Sequence, residues 1–534
     1  MPLSTSLKKR FYSYLYIQKK RARTWRVVAL VLFVQLLCFY SSQAKAATKV
    51  VESDMFAPVA SALTEVYFQE CQLALDVGWS RRAECAELEV PLDYSKPEGK
   101  SIRLSIVRIP ARQSRAELDP MLMLAGGPGQ AASEGYLFAD HRYNKLAASR
   151  DLYLIDQRGT GRSNALRCPS DEYDLPSAHD FEQVKQFTGE CLATLGGDVR
   201  FYTTSVAIRD FEFARKRLGI AQWNLLGTSY GTRVAQHYLR EHPEAIRSVV
   251  LDSVVPATLN LGPAIALESQ RALEQVFERC KNTPECNQAF PNLSAKTDNL
   301  IQRLKAAPIS LSFEDANTGK MVERDFTLDH LLGLLRLSLY RDGNIALLPL
   351  WITDAEKGHY SPMARNAFEL VDAMSKSIAM GMHNTVMCTE DVPFFNEKDA
   401  DTIELTTSYM GENQYKVMID ICKLWPTGPI DKHFKEPVRS DKPVLLLSGE
   451  IDPITPPSYA DMAMAQLANA RHVVFPGQGH SVSTEGCGPD LVAKFVEKAS
   501  VAGLPVSCVD DLKSSPFFLN YNGPVAMPAS AQEH

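Results

Sequence analysis

The stretch WNLLGTSYGTRVAQHYLREHP, Trp223 to Pro243, decides how the rest of the chain is read. Trp223-Asn224-Leu225-Leu226 is a short apolar run suited to a buried strand, and from Thr232 onward the apolar residues take helical spacing. Between the two stands Gly227-Thr228-Ser229-Tyr230-Gly231, a G-x-S-x-G pentapeptide. In that pattern a strand turns sharply into a helix and holds its serine at the apex. Glycine is needed on both sides because a Cβ there would collide with strand or helix. The pentapeptide alone is a weak signal; the strand before it and the helix after it make Ser229 the candidate nucleophile.

A serine hydroxyl needs a base, and the base needs a carboxylate to orient it. On a sheet that carries such a turn the chain order is Ser, then Asp or Glu, then His. Asp452 follows the apolar run PVLLLSG, and His480 follows HVVFPG within GQGHS, both beyond the C-terminal ends of candidate strands. Glu450 is the rival acid, ranked below Asp452. His237, His242, His330, His359, His383, His433 and His472 are read as surface or core filler. The oxyanion of a tetrahedral intermediate needs backbone N–H donors. Tyr230, the residue after the nucleophile, supplies one, and the loop Gly126-Gly127-Pro128-Gly129 after the MLMLA run supplies the other through Gly127.

Working outward, LSIVRIPA, PMLMLAGGPG, DLYLIDQRGTG, IRSVVLDSVVP, KPVLLLSGEIDP and ARHVVFPGQGH are further strand-like runs, with helical segments between them. Strands alternating with helices predict an α/β chain with a mainly parallel central sheet. From Pro256 to about Asp441 such runs are missing, and helical patterns such as ALESQRALEQVFERC and TLDHLLGLLRLSLY take their place. The expected organisation is a signal peptide over 1–46, the first part of the core over 47–255, a mostly helical cap over 256–440, and the C-terminal part of the core over 441–534.

The leader expectation rests on the first 46 residues, which hold nine Lys or Arg and no acid. The apolar run VVALVLFVQLLCFY and then SSQAKA follow, with Ala44 and Ala46 at the spacing of a cleavage site. Val27 to Tyr40 is short for a bilayer span, which favours cleavage after Ala46 over a retained anchor. Cys38 follows Leu37 rather than a small residue, so no lipoprotein site is expected. Without the leader the chain carries 57 − 9 = 48 basic against 63 acidic residues, a net charge of −15. That balance argues against nucleic acid or anionic lipid as a partner. Ten cysteines remain, an even number suited to an oxidising compartment. Neighbours in sequence suggest the pairs Cys71–Cys85, Cys168–Cys191, Cys280–Cys286, Cys388–Cys422 and Cys487–Cys508. No C-x-x-C or H-E-x-x-H is present, so no metal is expected.

AGGPG at 125–129, DQRGTGRS at 156–163 and GTSYG at 227–231 together resemble the proline iminopeptidase and tripeptidyl aminopeptidase group of α/β-hydrolases. CAELEVPLDYSKPEGKSIRLSIVR at 85–108, SGEIDPITPP at 448–457 and GQGHSVSTEGCGPD at 477–490 are similar to its exported tripeptidyl aminopeptidase branch. The resemblance implies the α/β-hydrolase fold with its cap inserted between strands 6 and 7. It also implies a Ser229, Asp452, His480 triad and hydrolysis from peptide N-termini without a cofactor. Ala125 departs from the pattern, since many members carry His before Gly-Gly-Pro-Gly; that puts support of the loop in doubt more than catalysis. In the iminopeptidases cap acids hold the substrate's α-ammonium, and Glu390 and Asp391 beside Cys388 are the candidates here. The expectation is an exported, monomeric serine aminopeptidase acting on peptides or small molecules. An esterase or amidase with the same triad is the alternative. A non-catalytic binding protein is the remote one, because all three triad positions are filled.

Overall fold

The computed structural model describes residues 66–525 apart from 75–77, 79, 114–118, 170–176, 178, 315–318 and 396–401. The leader, its cleavage site and Cys38 lie outside the described residues. Strands in chain order are β1 (Gln69–Ala74), β2 (Ser80–Pro91), β3 (Ser101–Ile109), β4 (Met121–Leu124), β5 (Leu152–Ile155), β6 (Trp223–Thr228), β7 (Ile246–Asp252), β8 (Ile309–Glu314), β9 (Met321–Phe326), β10 (Val444–Gly449) and β11 (Ala470–Phe475). Nine of them form one sheet in the order β1-β2-β3-β5-β4-β6-β7-β10-β11.

From β5 to β11 all neighbours run parallel, while β1, β2 and β3 join antiparallel at one side. Every residue of β4, β5 and β10 is buried, which is why these strands are continuous apolar runs: helices cover both faces. β2 mixes buried with exposed positions, as an antiparallel strand near the edge does.

The inserted segment leaves the sheet after β7 and returns at β10, the seventh and eighth sheet strands in chain order. β1 adds an antiparallel strand that shifts this count by one from the expected sixth and seventh. The insertion is mostly helical, with an unexpected hairpin of β8 and β9 whose sides alternate between partly buried and exposed. Leu273, Leu331, Leu335, Leu348 and Trp351 belong to an apolar cluster that Ile451 and Phe517 of the C-terminal part join. ALESQRALEQVFERC forms part of the helix Pro263–Asn282, and TLDHLLGLLRLSLY contains the helix Leu328–Ser338 with Thr327 capping its start.

All five expected disulfides are present. Each closes a short loop, and together they are consistent with folding in an oxidising compartment. No helix among the described residues is long and apolar enough to cross a membrane.

Candidate active site

At the end of β6 the backbone of Ser229 takes φ 55° and ψ −123°, conformations a serine adopts only under constraint. Its amide donates to the carbonyl of Asp252 at 2.9 Å, and its carbonyl accepts from the amide of Thr232 at 2.9 Å. The helix Tyr230–Glu241 starts at once and runs back under β4 so closely that a Cβ on Gly231 would lie 2.2 Å from the carbonyl oxygen of Leu124. This contact explains the second glycine of the pentapeptide.

Asp452 stands in the turn after β10 and is fully buried. Its Oδ1 accepts the amides of Ile454 and Thr455 at 2.9 Å each, and its Oδ2 accepts Thr455 Oγ1 and His480 Nδ1, both at 2.8 Å. Burial pushes this carboxyl up, but the His480 imidazole and these hydrogen bonds outweigh it and hold Asp452 below the usual range. With Nδ1 engaged by the carboxylate, Nε2 of His480 is the nitrogen left for substrate chemistry. Glu450, the rival, is exposed and accepts the amide of Gly477 at 2.7 Å.

Three ties hold His480. Its amide donates to the carbonyl of Tyr340 in the insertion at 3.1 Å. The next residues donate their amides to the neighbouring strand end, Val482 and Ser483 to the Asp252 carboxylate at 2.9 and 3.0 Å and Ser481 to Ser253 Oγ at 2.8 Å. The ring of Tyr340 packs against the imidazole with centroids 4.7 Å apart. A Cβ on Gly479 would sit 2.0 Å from the carbonyl oxygen of Leu339, so the insertion and this loop meet backbone to backbone.

Ser229, His480, Gly126 and Gly127 line one cavity of about 890 Å³, within the size range of small-molecule sites. The glycine loop passes beside the serine: a Cβ on Gly126 would lie 3.2 Å from Ser229 Cβ. The amide of Tyr230 stands at the start of its helix, where N–H groups have no partner within the helix. The Tyr230 ring points away into the core, its hydroxyl 2.5 Å from Thr204 Oγ1 and 3.1 Å from Gln157 Nε2.

His383, read from sequence as filler, is a correction. It lines the cavity, its Nδ1 lies 3.1 Å from the carbonyl oxygen of Pro128, and burial pushes its pKa down. The amide of Ala379 donates to the carbonyl of Gly129 at 2.9 Å. The glycine loop is thus braced from the insertion.

Glu390 and Asp391 are a second correction. They lie in a wide helical turn, Met387–Asp391, are fully buried, and are absent from the cavity walls. Glu390 accepts the amide and hydroxyl of Thr204 at 2.6 and 2.7 Å, and burial lifts it to about 7. Asp391 takes both Nη atoms of Arg233 at 2.8 and 2.9 Å, Lys435 at 3.1 Å and the amide of Leu261 at 2.8 Å. Acids so engaged have no face to offer a substrate. Arg233 lies on the helix that follows Ser229, so this ion pair fastens the insertion to the helix that the candidate nucleophile begins. Asp391→Asn leaves the Arg233 charge buried without its counter-ion and is expected to cost about 3–5 kcal/mol. A urea midpoint left unshifted would show that the pair is not needed.

The carboxylates that do line the cavity are Asp252, Asp329 and Asp372. Asp252 is occupied by the His480 loop, and Asp372 pairs with Arg324 at 2.8 Å. Asp329 is 35% exposed, accepts Ser177 Oγ at 2.5 Å and lies 3.3 Å from His179. A side lobe of about 100 Å³ also reaches Ser229 and is walled by Val255, Leu261, Ile265, Met387 and Met418. Among the described residues one cluster has metal-ligand spacing, Glu212, His242 and Glu244, and its Glu212 is already paired with Arg215 and Lys216.

Two family models match the chain: one described as the alpha/beta hydrolase fold over residues 119–307, and one described as TAP-like protein over residues 407–508. Serine protease Hip1 of Mycobacterium tuberculosis is 26% identical over 459 residues, covering 78% of this chain and 85% of that protein. Carboxylesterase B of the same species is 29% identical over 453 residues, covering 77% and 83%. Tripeptidyl aminopeptidase of Streptomyces lividans is 30% identical over 208 residues, covering 35% and 38%.

Proposed function

The chain belongs to the TAP-like serine hydrolases of the α/β-hydrolase fold, and on that premise we propose that it is an exported aminopeptidase releasing short units from peptide N-termini. The observation that carries the reading is Ser229 on its constrained turn, sharing a cavity with a His480 whose Nδ1 is held by the buried Asp452.

Ser229 Oγ attacks the acyl carbonyl while His480 Nε2 takes its proton. The oxyanion that forms is met by the amides of Gly127 and Tyr230. His480 then returns the proton to the leaving amine, and water, deprotonated by the same imidazole, releases the acyl group and restores Ser229. An apolar side chain on the acyl residue suits the side lobe beside Ser229. With Glu390 and Asp391 committed inside the protein, the α-ammonium falls to Asp329, since of the other cavity carboxylates Asp252 is held by the His480 loop and Asp372 by Arg324. The insertion roofs the cavity and limits entry to chain ends. The serine protease and aminopeptidase names of two relatives support a peptide substrate. The five disulfides support export.

The test is the ratio of kcat/KM for short peptides with a free N-terminus to that for their N-acetylated forms. Wild type should favour the free amine by about 10- to 100-fold, the worth of a charged hydrogen bond, and Asp329→Asn should bring the ratio towards one. Blocked peptides cleaved as fast as free ones would remove the aminopeptidase reading. One observation favours a second reading, an esterase on a non-peptide acyl substrate: the similarity to Carboxylesterase B over 77% of the chain. Ester turnover with no peptide cleavage would select it.

A further inference from the structure

The helix Leu328–Ser338 is rich in leucine, and one cation interrupts it near its end. Asp329, Leu332, Gly333 and Arg336 all line the cavity, as residues three, four and seven apart on one helical face do. Arg336 stands out among the charged groups there. Arg341 pairs with Glu485 at 2.7 Å, and Asp372 with Arg324 at 2.8 Å. No carboxylate among the described residues is within ion-pair distance of Arg336, and its Nε is buried with no hydrogen-bond partner.

An unpaired guanidinium on the wall of a partly enclosed cavity is costly unless something completes it. Its five donors form a planar fork that matches a carboxylate. Its position relative to the reacting atoms follows from its neighbours. Tyr340 lies four residues on, and the Tyr340 ring packs on His480 with centroids 4.7 Å apart. The positive charge of Arg336 reaches both Tyr340 and His383, the residue that braces the glycine loop.

We propose that Arg336 is a substrate-binding residue that receives a carboxylate of the substrate, so that the enzyme prefers short acidic or free-acid peptides. This rests on the peptide reading above and adds a second charged end to it. On the same helical face Asp329 meets the ammonium, and Arg336 meets the anion. The carboxylate comes either from the C-terminus of a short peptide or from an Asp or Glu side chain.

Two paired comparisons separate these sources: peptides with a free C-terminal acid against the same peptides as C-terminal amides, and amidated peptides bearing Glu against those bearing Gln. Wild type should favour the carboxylate member of at least one pair by about 10- to 100-fold in kcat/KM, mainly through KM. Arg336→Gln should bring that ratio to about one, and Arg336→Lys should keep part of it, since it retains the charge and loses the fork. Ratios are read within each variant, so a general loss of folded enzyme cancels. Equal rates for both members of both pairs in wild type would overturn the proposal, as would a preference that survives Arg336→Gln. If no peptide is cleaved, the peptide reading has failed instead, and half-esters of dicarboxylic acids against neutral esters then test Arg336 by the same ratio and the same criterion.

Discussion

Ser229→Ala is expected to lower kcat for any ester or peptide substrate by about 10⁶-fold, leaving only what the oxyanion donors and binding achieve without a nucleophile. The fold should survive. Ser229 makes its structural contacts through the backbone, donating to Asp252 and accepting from Thr232, and alanine keeps both. Alanine at φ 55° is no worse placed than serine, so the constrained turn remains. Substrate affinity should change little, which separates this variant from a misfolded one. Activity of the purified variant above about a thousandth of wild type would mean that another group attacks.

Asp452→Asn is expected to lower kcat by about 10⁴-fold through a different route. The carboxylate accepts from His480 Nδ1 at 2.8 Å and so keeps the imidazole's Nε2 free of a proton. Both oxygens also accept from Ile454 and Thr455. An asparagine must satisfy those donors with its single oxygen, which turns its NH₂ towards His480. The imidazole then presents Nδ1 as an acceptor and carries its proton on Nε2, where it cannot take one from Ser229. Activity should recover in part at high pH, where hydroxide substitutes for the missing base. Measuring kcat between pH 6 and 10 for wild type and variant checks this; a variant within about tenfold of wild type at neutral pH would show that Asp452 does not set the tautomer.

The elements legible in the sequence are those whose environment is uniform. β4, β5 and the first four residues of β10 are buried on both faces and read as unbroken apolar runs, while β6 and β7 keep an apolar centre, Leu225-Leu226 and Val249-Val250-Leu251, between polar residues. β1 and β2 carry charges on partly exposed positions and pass for loop, and the β8–β9 hairpin alternates in the same way. Ser229, Asp452 and His480 are legible as candidates because each lies at or just beyond a strand end, where chain order and position restrict the choice. The disulfides were readable because each pair closes a loop of 6 to 34 residues.

Glu390 and Asp391 were misread for the opposite reason. Arg233, the partner that turns Asp391 from a surface acid into a buried ion, lies 158 residues away. His383 was missed because its partner is a backbone carbonyl in a loop 255 residues earlier. For Arg336 a signal did exist: one cation inside the run LLGLLRLSL asks what it faces, and only the folded cavity answers.

The central claim is that Ser229 is an activated nucleophile, and labelling with a fluorophosphonate probe followed by peptide mapping tests it most directly. The expected result is a single adduct on the peptide that contains Ser229, absent from Ser229→Ala. A folded wild-type protein that takes no label, or a label that persists in Ser229→Ala, would contradict the account.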